Sequence, residues 1–363
     1  MRIFYDGFVY QEQQAGGVNR YFANIIKRLP GDWLPFLTMS QSHPLDLPAH
    51  PNLRISKFYR ARPLRVSYRV EKYYFRYVTA ATRFDLAHPT YYSLLSQREL
   101  SSYRCPVVLT VWDMIHEVFS REMDPTGQRA EEKRKAMSAA QAIICISEST
   151  RKDLLERYPL LESKVRVTHL ASEIDAALSY GSEPVPARPY YLYVGGRRRY
   201  KNFNNLLLAF AKFASSRPDA ALCVVGPPFD EAERRHLTEL NLASCIEHYS
   251  HPTDAHLAKL YRCSLALVYP SRYEGFGIPL LEAMSCHTAV VASNTSSIPE
   301  VVGDAGLLFD PSEIDELADI MLFLIDHGTE RKRLIERGSH RVREFSWDKT
   351  AAETISVYHS VSN

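Results

Sequence analysis

The stretch that decides the fold is residues 265–284, L-A-L-V-Y-P-S-R-Y-E-G-F-G-I-P-L-L-E-A-M. It begins with a short apolar run of the kind found in buried parallel strands, and it ends in a helical pattern. Between the two, Gly275 and Gly277 let the backbone approach a ligand closely. Pro279 suits the first turn of a helix, where its missing N–H would be unpaired anyway. The order of strand, glycine loop and helix predicts an α/β domain with a ligand site where the strand ends.

Two carboxylates bracket this loop: Glu274 precedes the glycines, and Glu282 is expected in the first turn of the helix. A helix N-terminus offers free N–H groups and the positive end of the helix dipole, which together favour a diphosphate. A carboxylate can accept two hydrogen bonds from a vicinal diol, so the pair could hold a sugar at one end and a ribose at the other. The alternative is a plain glycine turn in which Glu282 only favours the helix dipole.

A second glycine loop, G-G-R-R-R-Y-K-N at residues 195–202, follows an apolar run at 190–194. A nucleoside diphosphate that leaves as an anion must be neutralised, and Arg and Lys do this where no metal is present. No D-x-D pair lies in a suitable strand-end loop, so neither a metal nor another cofactor is expected. A solvated basic loop is the alternative.

Outward from these loops, short apolar runs alternate with helical patterns, which predicts parallel sheets covered by helices on both faces. The predicted strands are residues 2–5, 106–111, 142–146, 165–169, 190–194, 221–225, 265–269 and 289–292, and the clearest helices are 18–28, 203–214, 255–261 and 314–326. Residues 181–189, G-S-E-P-V-P-A-R-P, are typical of a linker. The expected organisation is a first domain at 1–180, the linker at 181–189, a second domain at 190–345 and a terminal helix at 346–363.

The segment from Glu274 to Glu282 resembles the E-x7-E signature of the family 4 retaining glycosyltransferases, and residues 296–306 extend the resemblance. The resemblance implies the GT-B fold, in which two Rossmann-like parallel-sheet domains face a cleft and the terminal helix crosses back to the first domain. It places Glu274 beside the hydroxyls of the donor sugar and Glu282 on the ribose. The donor-binding positions between them are Gly275, Phe276, Gly277 and Ile278.

The resemblance also implies an activity: transfer of a hexose, glucose or mannose, from a UDP- or GDP-sugar. The acceptor would be a glycan or lipid-linked oligosaccharide in surface polysaccharide biosynthesis. It implies an Arg and a Lys on the pyrophosphate and no divalent cation. Lys201 matches the family lysine, Arg197 is the first choice for the arginine and Arg198 the second.

The first domain carries two further matches to the family. The loop A-G-G-V-N-R-Y at residues 15–21 resembles G-G-[IV]-x-R-Y, whose backbone approaches the donor phosphates at Gly16 and Gly17, although a plain turn before a helix is the alternative. At residues 111–117, V-W-D-M-I-H-E, the family commonly has His-Asp, whereas this chain has Trp112 before Asp113. His116 could face the cleft instead, but a lone histidine is more often structural.

Between residues 59 and 83, basic residues alternate with tyrosines, and Glu71 is the single acid. Such a helix could rest on an anionic membrane or receive a lipid-diphosphate acceptor. Because charge runs are usually solvated faces, the favoured alternative is a helix with its tyrosines inward and its arginines in water.

Composition limits the partners and the compartment. The net charge of +2 is too small to indicate a nucleic-acid partner. The N-terminus lacks the pattern of a signal peptide, and no apolar run reaches the roughly 18 residues that span a bilayer. Six scattered cysteines without a C-x-x-C pair fit a reducing compartment. We expect a cytoplasmic protein, with peripheral contact at the inner membrane face left open.

Three rival functions share some of these features. A non-catalytic nucleotide-sugar-binding protein is the hardest to dismiss, because Trp112 replaces the usual histidine. A nucleotide-sugar 2-epimerase has a similar two-domain form but no reason to keep the glycine loop between two glutamates. A pyridoxal-phosphate-dependent phosphorylase would need a much longer chain.

Overall fold

The computed structural model describes residues 1–13, 16–40 and 47–362. The chain divides into two compact units, one made of Met1–Leu170 with Trp347–Asn363 and the other of Ala171–Ser346. The chain therefore leaves the first unit once and returns to it with its last helix.

The first unit is built on parallel strands. Its strands are β1 (Arg2–Asp6), β2 (Leu34–Met39), β3 (Arg54–Lys57), β4 (Leu86–Ala87), β5 (Val108–Val111), β6 (Ala142–Cys145) and β7 (Val165–Val167). They pair in the orders β3-β2-β1-β4 and β5-β6-β7, and a parallel bridge between Ala87 and Val107 connects the two groups. Its helices are α1 (Val9–Glu12), α2 (Gly17–Lys27), α3 (Leu64–Ala81), α4 (Ile115–Val118), α5 (Ser120–Met123), α6 (Gln128–Ala139) and α7 (Glu148–Arg157).

The second unit has one parallel sheet in the order β10-β9-β8-β11-β12-β13. Its strands are β8 (Tyr190–Val194), β9 (Ala221–Val225), β10 (Ile246–Tyr249), β11 (Ala266–Tyr269), β12 (Ala289–Ser293) and β13 (Gly306–Phe309). Its helices are α8 (Phe203–Ser216), α9 (Glu231–Glu239), α10 (Asp254–Cys263), α11 (Ile278–Ser285), α12 (Ile298–Val302), α13 (Ile314–Asp326) and α14 (Gly328–Arg341), and α15 (Trp347–Ser362) then joins the first unit. This strand order, 3-2-1-4-5-6 in local numbering, is typical of Rossmann-like domains.

Apolar patterning explains these elements. Every residue of β9, β11 and β12 is buried, as expected for parallel strands covered on both faces. Helix α8 buries Leu206, Phe210 and Phe213, which recur on one helical face. These side chains pack against the sheet and α13 in the core of the second unit.

The predicted strands and helices are all present, and each ends within two residues of its predicted limits. Ser147 caps α7 by accepting a hydrogen bond of 3.0 Å from the Thr150 backbone N–H, as expected. Strands β2, β3, β4, β10 and β13 were not predicted. In the exposed edge strand β3, R-I-S-K, only one residue is strongly apolar, so its sequence has no strand-like run.

The boundary between the units falls after Leu170, ahead of the predicted linker at 181–189. The Lys259 ammonium donates to the carbonyls of Gly181 and Glu183, at 2.7 Å each. His256 Nε2 lies 2.8 Å from the Pro184 carbonyl. The proline-rich segment is irregular backbone, as its composition indicates, but α10 holds it on the second unit.

A buried polar network ties the C-terminal helix into the first unit. The Tyr358 hydroxyl lies 2.6 Å from His88 Nδ1 and 3.3 Å from the Tyr5 hydroxyl, and His88 Nε2 lies 2.9 Å from Thr110 Oγ1. Burial lowers the pKa of His88 to about 3, which keeps the imidazole neutral. The partners are up to 353 positions apart in sequence, so no local pattern pointed to them.

Helix α3 corrects one expectation. Its tyrosines were expected to point inward, and Tyr74 does, since its hydroxyl lies 2.6 Å from Ser56 Oγ and its ring packs against Phe58. Tyr68, Tyr73 and Tyr77 are exposed instead, and the side chains that the helix buries are Ser67, Glu71 and Phe75. Glu71 is buried because it pairs with Arg60 at 2.8 Å. Within the described part of the chain, no helix has both the length and the apolar character that crossing a bilayer requires.

Candidate active site

The candidate site lies where the strand order of the second unit reverses. Strands β8 and β11 are neighbours at the centre of the sheet, and the connections after them run to opposite sides. Lys201 ends a short 3-10 turn after β8, and Glu274 lies in the loop after β11. The Lys201 ammonium donates to both carboxylate oxygens of Glu274, at 2.7 and 2.9 Å. The two predicted residues therefore share one site, although 73 positions separate them.

Glu274 is held in place by further contacts. Its backbone N–H donates to Ser296 Oγ at 2.8 Å, and Ser297 Oγ donates to its carbonyl at 3.0 Å. The Tyr269 hydroxyl bonds its side chain, and burial together with the Glu274 charge raises the pKa of Tyr269 well above its ordinary value. Tyr269 thus stays protonated and can donate to the carboxylate. Both serines belong to the segment 296–306, which extended the family resemblance.

The glycine loop leads into α11 as predicted. Gly277 precedes the helix with φ of +105°, a conformation that strains any other residue, and Pro279 lies in the first turn. No side chain of the described residues caps this helix end. Of the predicted donor-binding positions, Phe276 is buried, whereas Gly275 and Ile278 are half-buried. The helix N-terminus that was expected to bind a diphosphate is therefore present.

Glu282 was expected in the first turn of α11, but it lies in the second turn. The helix starts at Ile278, so its first turn ends at Leu281 and contains no acid. The Tyr261 hydroxyl donates to Glu282 Oε2 at 2.8 Å, and both residues are buried. Tyr261, on α10, was not predicted, because nothing in its own sequence neighbourhood indicates an acidic partner.

Arg197 bonds to a different set of residues. Its guanidinium forms a two-point contact with Glu233, at 2.7 and 2.9 Å, and donates to the carbonyls of Pro227 and Pro228 at 2.8 and 3.0 Å. It also lies 4.2 Å from the centre of the Phe229 ring, and its side chain is only 5% exposed. The hydrogen bonds from Arg197 lower the pKa of Glu233. The structure therefore places Arg197 in a clamp with Glu233, and its assignment to the donor phosphates stays a prediction.

Besides Arg197, Arg199 and Lys201, this loop has one further basic residue, Arg198, which is exposed. Its side chain makes no hydrogen bond or ion pair in the described part of the chain. Its role on the donor phosphates stays a prediction too.

The first glycine loop lies in the first unit. Gly16 directly precedes α2 and Gly17 begins it, whereas Ala15 lies outside the described residues. Asn19 closes the loop, because its amide donates to the Gln13 carbonyl at 3.2 Å and accepts from the Gln13 side chain at 2.9 Å. This contact ties the end of α1 to the first turn of α2.

Trp112 and Asp113 lie in the loop that follows β5, and His116 lies in the short helix α4 directly after it. The fully buried Lys133 organises this loop by donating to the Asp113 carbonyl at 2.8 Å and to Glu117 Oε2 at 2.9 Å. Burial first, and then the Lys133 charge, lowers the pKa of His116. Among the described residues, the buried atoms Trp112 Nε1, His116 Nδ1 and Glu117 Oε1 have no hydrogen-bond partner. A loop with three unpartnered buried polar atoms is a candidate ligand contact.

Fold and site together define a protein of two Rossmann-like units with a Lys–Glu pair at the switch point of the second. The family model Glycosyltransferase Family 4 matches residues 15–176, and the model Glycosyl transferases group 1 matches residues 181–341. The chain belongs to the family 4 glycosyltransferases and has the GT-B fold.

Known relatives agree with this assignment. O-antigen chain mannosyltransferase B of Escherichia coli is 31% identical over 62% of this chain and 62% of its own length. Sucrose-phosphate synthase of Thermosynechococcus elongatus superposes with a TM-score of 0.77 and 22% identity over 99% of this chain and 98% of that one. The Anabaena protein HepE, in complex with UDP and glucose, gives 0.72 and 17% over 99% of both chains. The matches to the first curated relatives span 53–65% of the length of those proteins.

Proposed function

We propose that the protein is a retaining hexosyltransferase of surface polysaccharide biosynthesis. It would move glucose or mannose from a UDP- or GDP-sugar to a glycan or lipid-linked oligosaccharide. The observation that carries the proposal is the contact of 2.7 Å between Lys201 and Glu274 at the switch point of the second unit. A cation and an acid next to an uncapped helix end match the parts of a nucleotide diphosphate sugar.

In this proposal the Lys201–Glu274 pair exchanges partners when the donor binds. The diphosphate competes for the ammonium of Lys201, and the released carboxylate of Glu274 accepts hydrogen bonds from the sugar hydroxyls. The N-terminus of α11 adds backbone N–H groups for the phosphates, and Glu282, oriented by Tyr261, accepts from the ribose. The donor thus replaces the ion pair with a Lys201–diphosphate pair and with hydrogen bonds from the sugar hydroxyls to Glu274, so both charges keep a partner when they are desolvated.

The proposed chemistry is attack by the acceptor on the face from which the nucleotide leaves. Retention otherwise requires a covalent glycosyl-enzyme, and no residue of this chain can be named as its nucleophile. The departing β-phosphate accepts the proton of the acceptor, while Lys201 stabilises the developing charge. Arg197 contributes only if it leaves Glu233. We propose that these cations, rather than a divalent metal, neutralise the leaving group.

Relatives support a sugar nucleotide but leave its base open. The E. coli relative is named a mannosyltransferase, whereas crystals of the Anabaena protein contain UDP with glucose or UDP-glucose. UDP-glucose and GDP-mannose are therefore the donors to test first. We place the enzyme in the cytoplasm at the inner face of a membrane, where a lipid-linked acceptor would be available.

One alternative function has an observation in its favour. Trp112 occupies the family's histidine position and its indole N–H is buried without a partner among the described residues. A protein that binds a nucleotide sugar without transferring it would tolerate this replacement. Such a protein would be stabilised by the donor and release no nucleoside diphosphate.

The test measures binding and turnover separately. UDP, GDP, UDP-glucose and GDP-mannose are compared in a thermal-shift assay. Any of them that binds should stabilise the protein by about 2.7 kcal/mol at a hundredfold its Kd. With a bacterial glycolipid fraction as acceptor, the stabilising donor should release its diphosphate at a rate that EDTA does not change. Stabilisation without diphosphate release favours the binding protein, and no stabilisation by any of the four compounds refutes both functions.

A further inference from the structure

Helix α3 exposes an apolar stripe that runs along its length. Val66, Val70, Tyr73 and Tyr77 follow one another at spacings of four, three and four residues, which places them on one helical face. Their exposed fractions are 56, 49, 59 and 72%. Single exposed apolar residues are ordinary, but a continuous stripe of four usually marks a contact surface.

A basic stripe lies directly beside it. Arg65, Arg69, Lys72 and Arg76 have the same spacing and each precedes a member of the apolar stripe by one residue. The cations of Lys72 and Arg76 lie 5.3 Å from the centre of the Tyr73 ring, so the two stripes are in contact. We call the two stripes together the α3 docking face.

The α3 docking face carries no acid. Glu71, the single acid of α3, is on the opposite face, where it pairs with Arg60 and accepts from Ser40. Phe75, also on that opposite face, is almost fully buried in the first unit. These contacts fix the rotation of the helix, so that the apolar stripe and the exposed Arg65 and Arg69 point away from the core. Arg76, at the far end of the basic stripe, is half-buried and donates to the Ser96 carbonyl at 3.0 Å.

We propose that the α3 docking face binds an anionic lipid bilayer. The tyrosines and valines would enter the boundary between headgroups and acyl chains, where the amphipathic ring of tyrosine is favourable. The basic stripe would lie against the lipid phosphates, and each cation near an anionic surface strengthens the attraction. Tyr59 and Leu64, just before the stripes in sequence, are exposed as well.

Charge decides between a bilayer and a second copy of the chain. A twofold dimer uses the same patch on both copies, so it would bring two all-basic stripes close together, and like charges at an interface are unfavourable. An anionic bilayer supplies the opposite charge along the whole stripe. The proposal does not depend on which sugar the enzyme transfers.

The test is flotation of the full chain with lipid vesicles. Vesicles of phosphatidylcholine with one third phosphatidylglycerol should bind the parent protein, and pure phosphatidylcholine should bind it far less. Replacing Arg65 and Arg69 by Gln should lower the partition coefficient roughly thirtyfold, since each cation contributes about fivefold. Replacing Tyr73 and Tyr77 by Ser should lower it about tenfold or more.

Matched controls keep the result specific. R121Q/K152Q removes two exposed charges of the same unit, and L160S removes its most exposed leucine, so both should bind like the parent. All variants should keep the parent's melting temperature and its diphosphate release with a detergent-solubilised acceptor. Equal binding of parent and stripe variants overturns the proposal, as does a dimer in gel filtration that Y73S/Y77S dissociates. If the parent protein binds the vesicles but releases no diphosphate, only the proposed function is overturned.

Discussion

Two loops at strand ends, one in each unit, differ in how completely their buried polar groups are partnered. In the second unit, Lys201 gives two hydrogen bonds to Glu274, whose backbone and side chain bond to further residues. In the first unit, the loop with Trp112 and His116 is anchored by Lys133, yet three of its buried polar atoms have no partner among the described residues. The Lys201–Glu274 pair is electrostatically complete, although Ser271 Oγ in the Glu274 loop also has no partner among the described residues.

The difference indicates how each loop would meet a ligand. A complete ion pair must exchange partners, so binding there is governed by charge and responds strongly to removal of the cation. Unpartnered buried polar atoms lower the stability of the free protein, and a ligand that supplies the missing hydrogen bond restores that stability. Three substitutions separate these behaviours.

The largest effect is expected from Lys201→Ala. Without the ammonium, the leaving diphosphate loses its principal cation, and kcat should fall by about 10²–10³-fold, as for loss of one preorganised transition-state donor. Diphosphate release under saturating donor measures this. The control is Lys212→Ala, which removes an exposed lysine paired with Asp315 in the same unit and should keep the parent kcat. A kcat of K201A within twofold of the parent would show that Lys201 has no part in the reaction.

A smaller effect, on stability, is expected from Arg197→Lys. Lysine keeps the charge but not the planar fork that bonds Glu233 and two carbonyls, so the free energy of unfolding should fall by about 2 kcal/mol. Urea denaturation measures the loss, and Arg198→Lys at the exposed neighbouring position should stay within about 0.5 kcal/mol of the parent. Unchanged stability with a large loss of kcat would instead assign Arg197 to the donor phosphates.

The smallest effect is expected from Trp112→Phe. Phenylalanine keeps most of the ring contacts with Tyr21 and Phe22 but removes the unpartnered N–H. If a substrate accepts from that N–H, its KM should rise about two- to tenfold, the value of one hydrogen bond, while stability changes by no more than about 1 kcal/mol. Trp347→Phe is the matched control, because its buried Nε1 also lacks a partner in the described residues. Equal KM values for the Trp112→Phe and Trp347→Phe variants would show that Trp112 does not contact the substrate.

Local sequence predicted much of the second unit. Continuous apolar runs gave strands such as 190–194 and 221–225 to the residue, because strands buried on both faces need no alternation. The glycine loop and Pro279 gave the start of α11. Strand β3 was not found, since an exposed edge strand has little reason to be apolar. The prediction of inward tyrosines on α3 was wrong for Tyr68, Tyr73 and Tyr77, because residue type alone does not tell which of two apolar helical faces meets the core.

The candidate site divides in the same way. Lys201 and Glu274 were found because each follows a strand in a glycine-containing loop, and neighbouring parallel strands bring their carboxyl ends to one edge. The Glu233 partner of Arg197 and the Tyr261 partner of Glu282 left no signal in the sequence. Each comes from a helix whose position depends on packing, and a lone acid or tyrosine on a helix is normally just exposed or part of the core.

The sequence by itself determined that this chain alternates strands with helices and carries a glycine loop between two acids. Those properties depend on residues a few positions apart, because the spacing of apolar residues and the backbone preferences of glycine and proline decide local structure. Only the tertiary structure decided that Arg197 is clamped by Glu233, that Lys133 anchors the Trp112 loop, and that α3 turns three of its tyrosines to solvent. These three features depend on which side chains meet across long stretches of chain. Such contacts form only when the packed core brings the distant residues together.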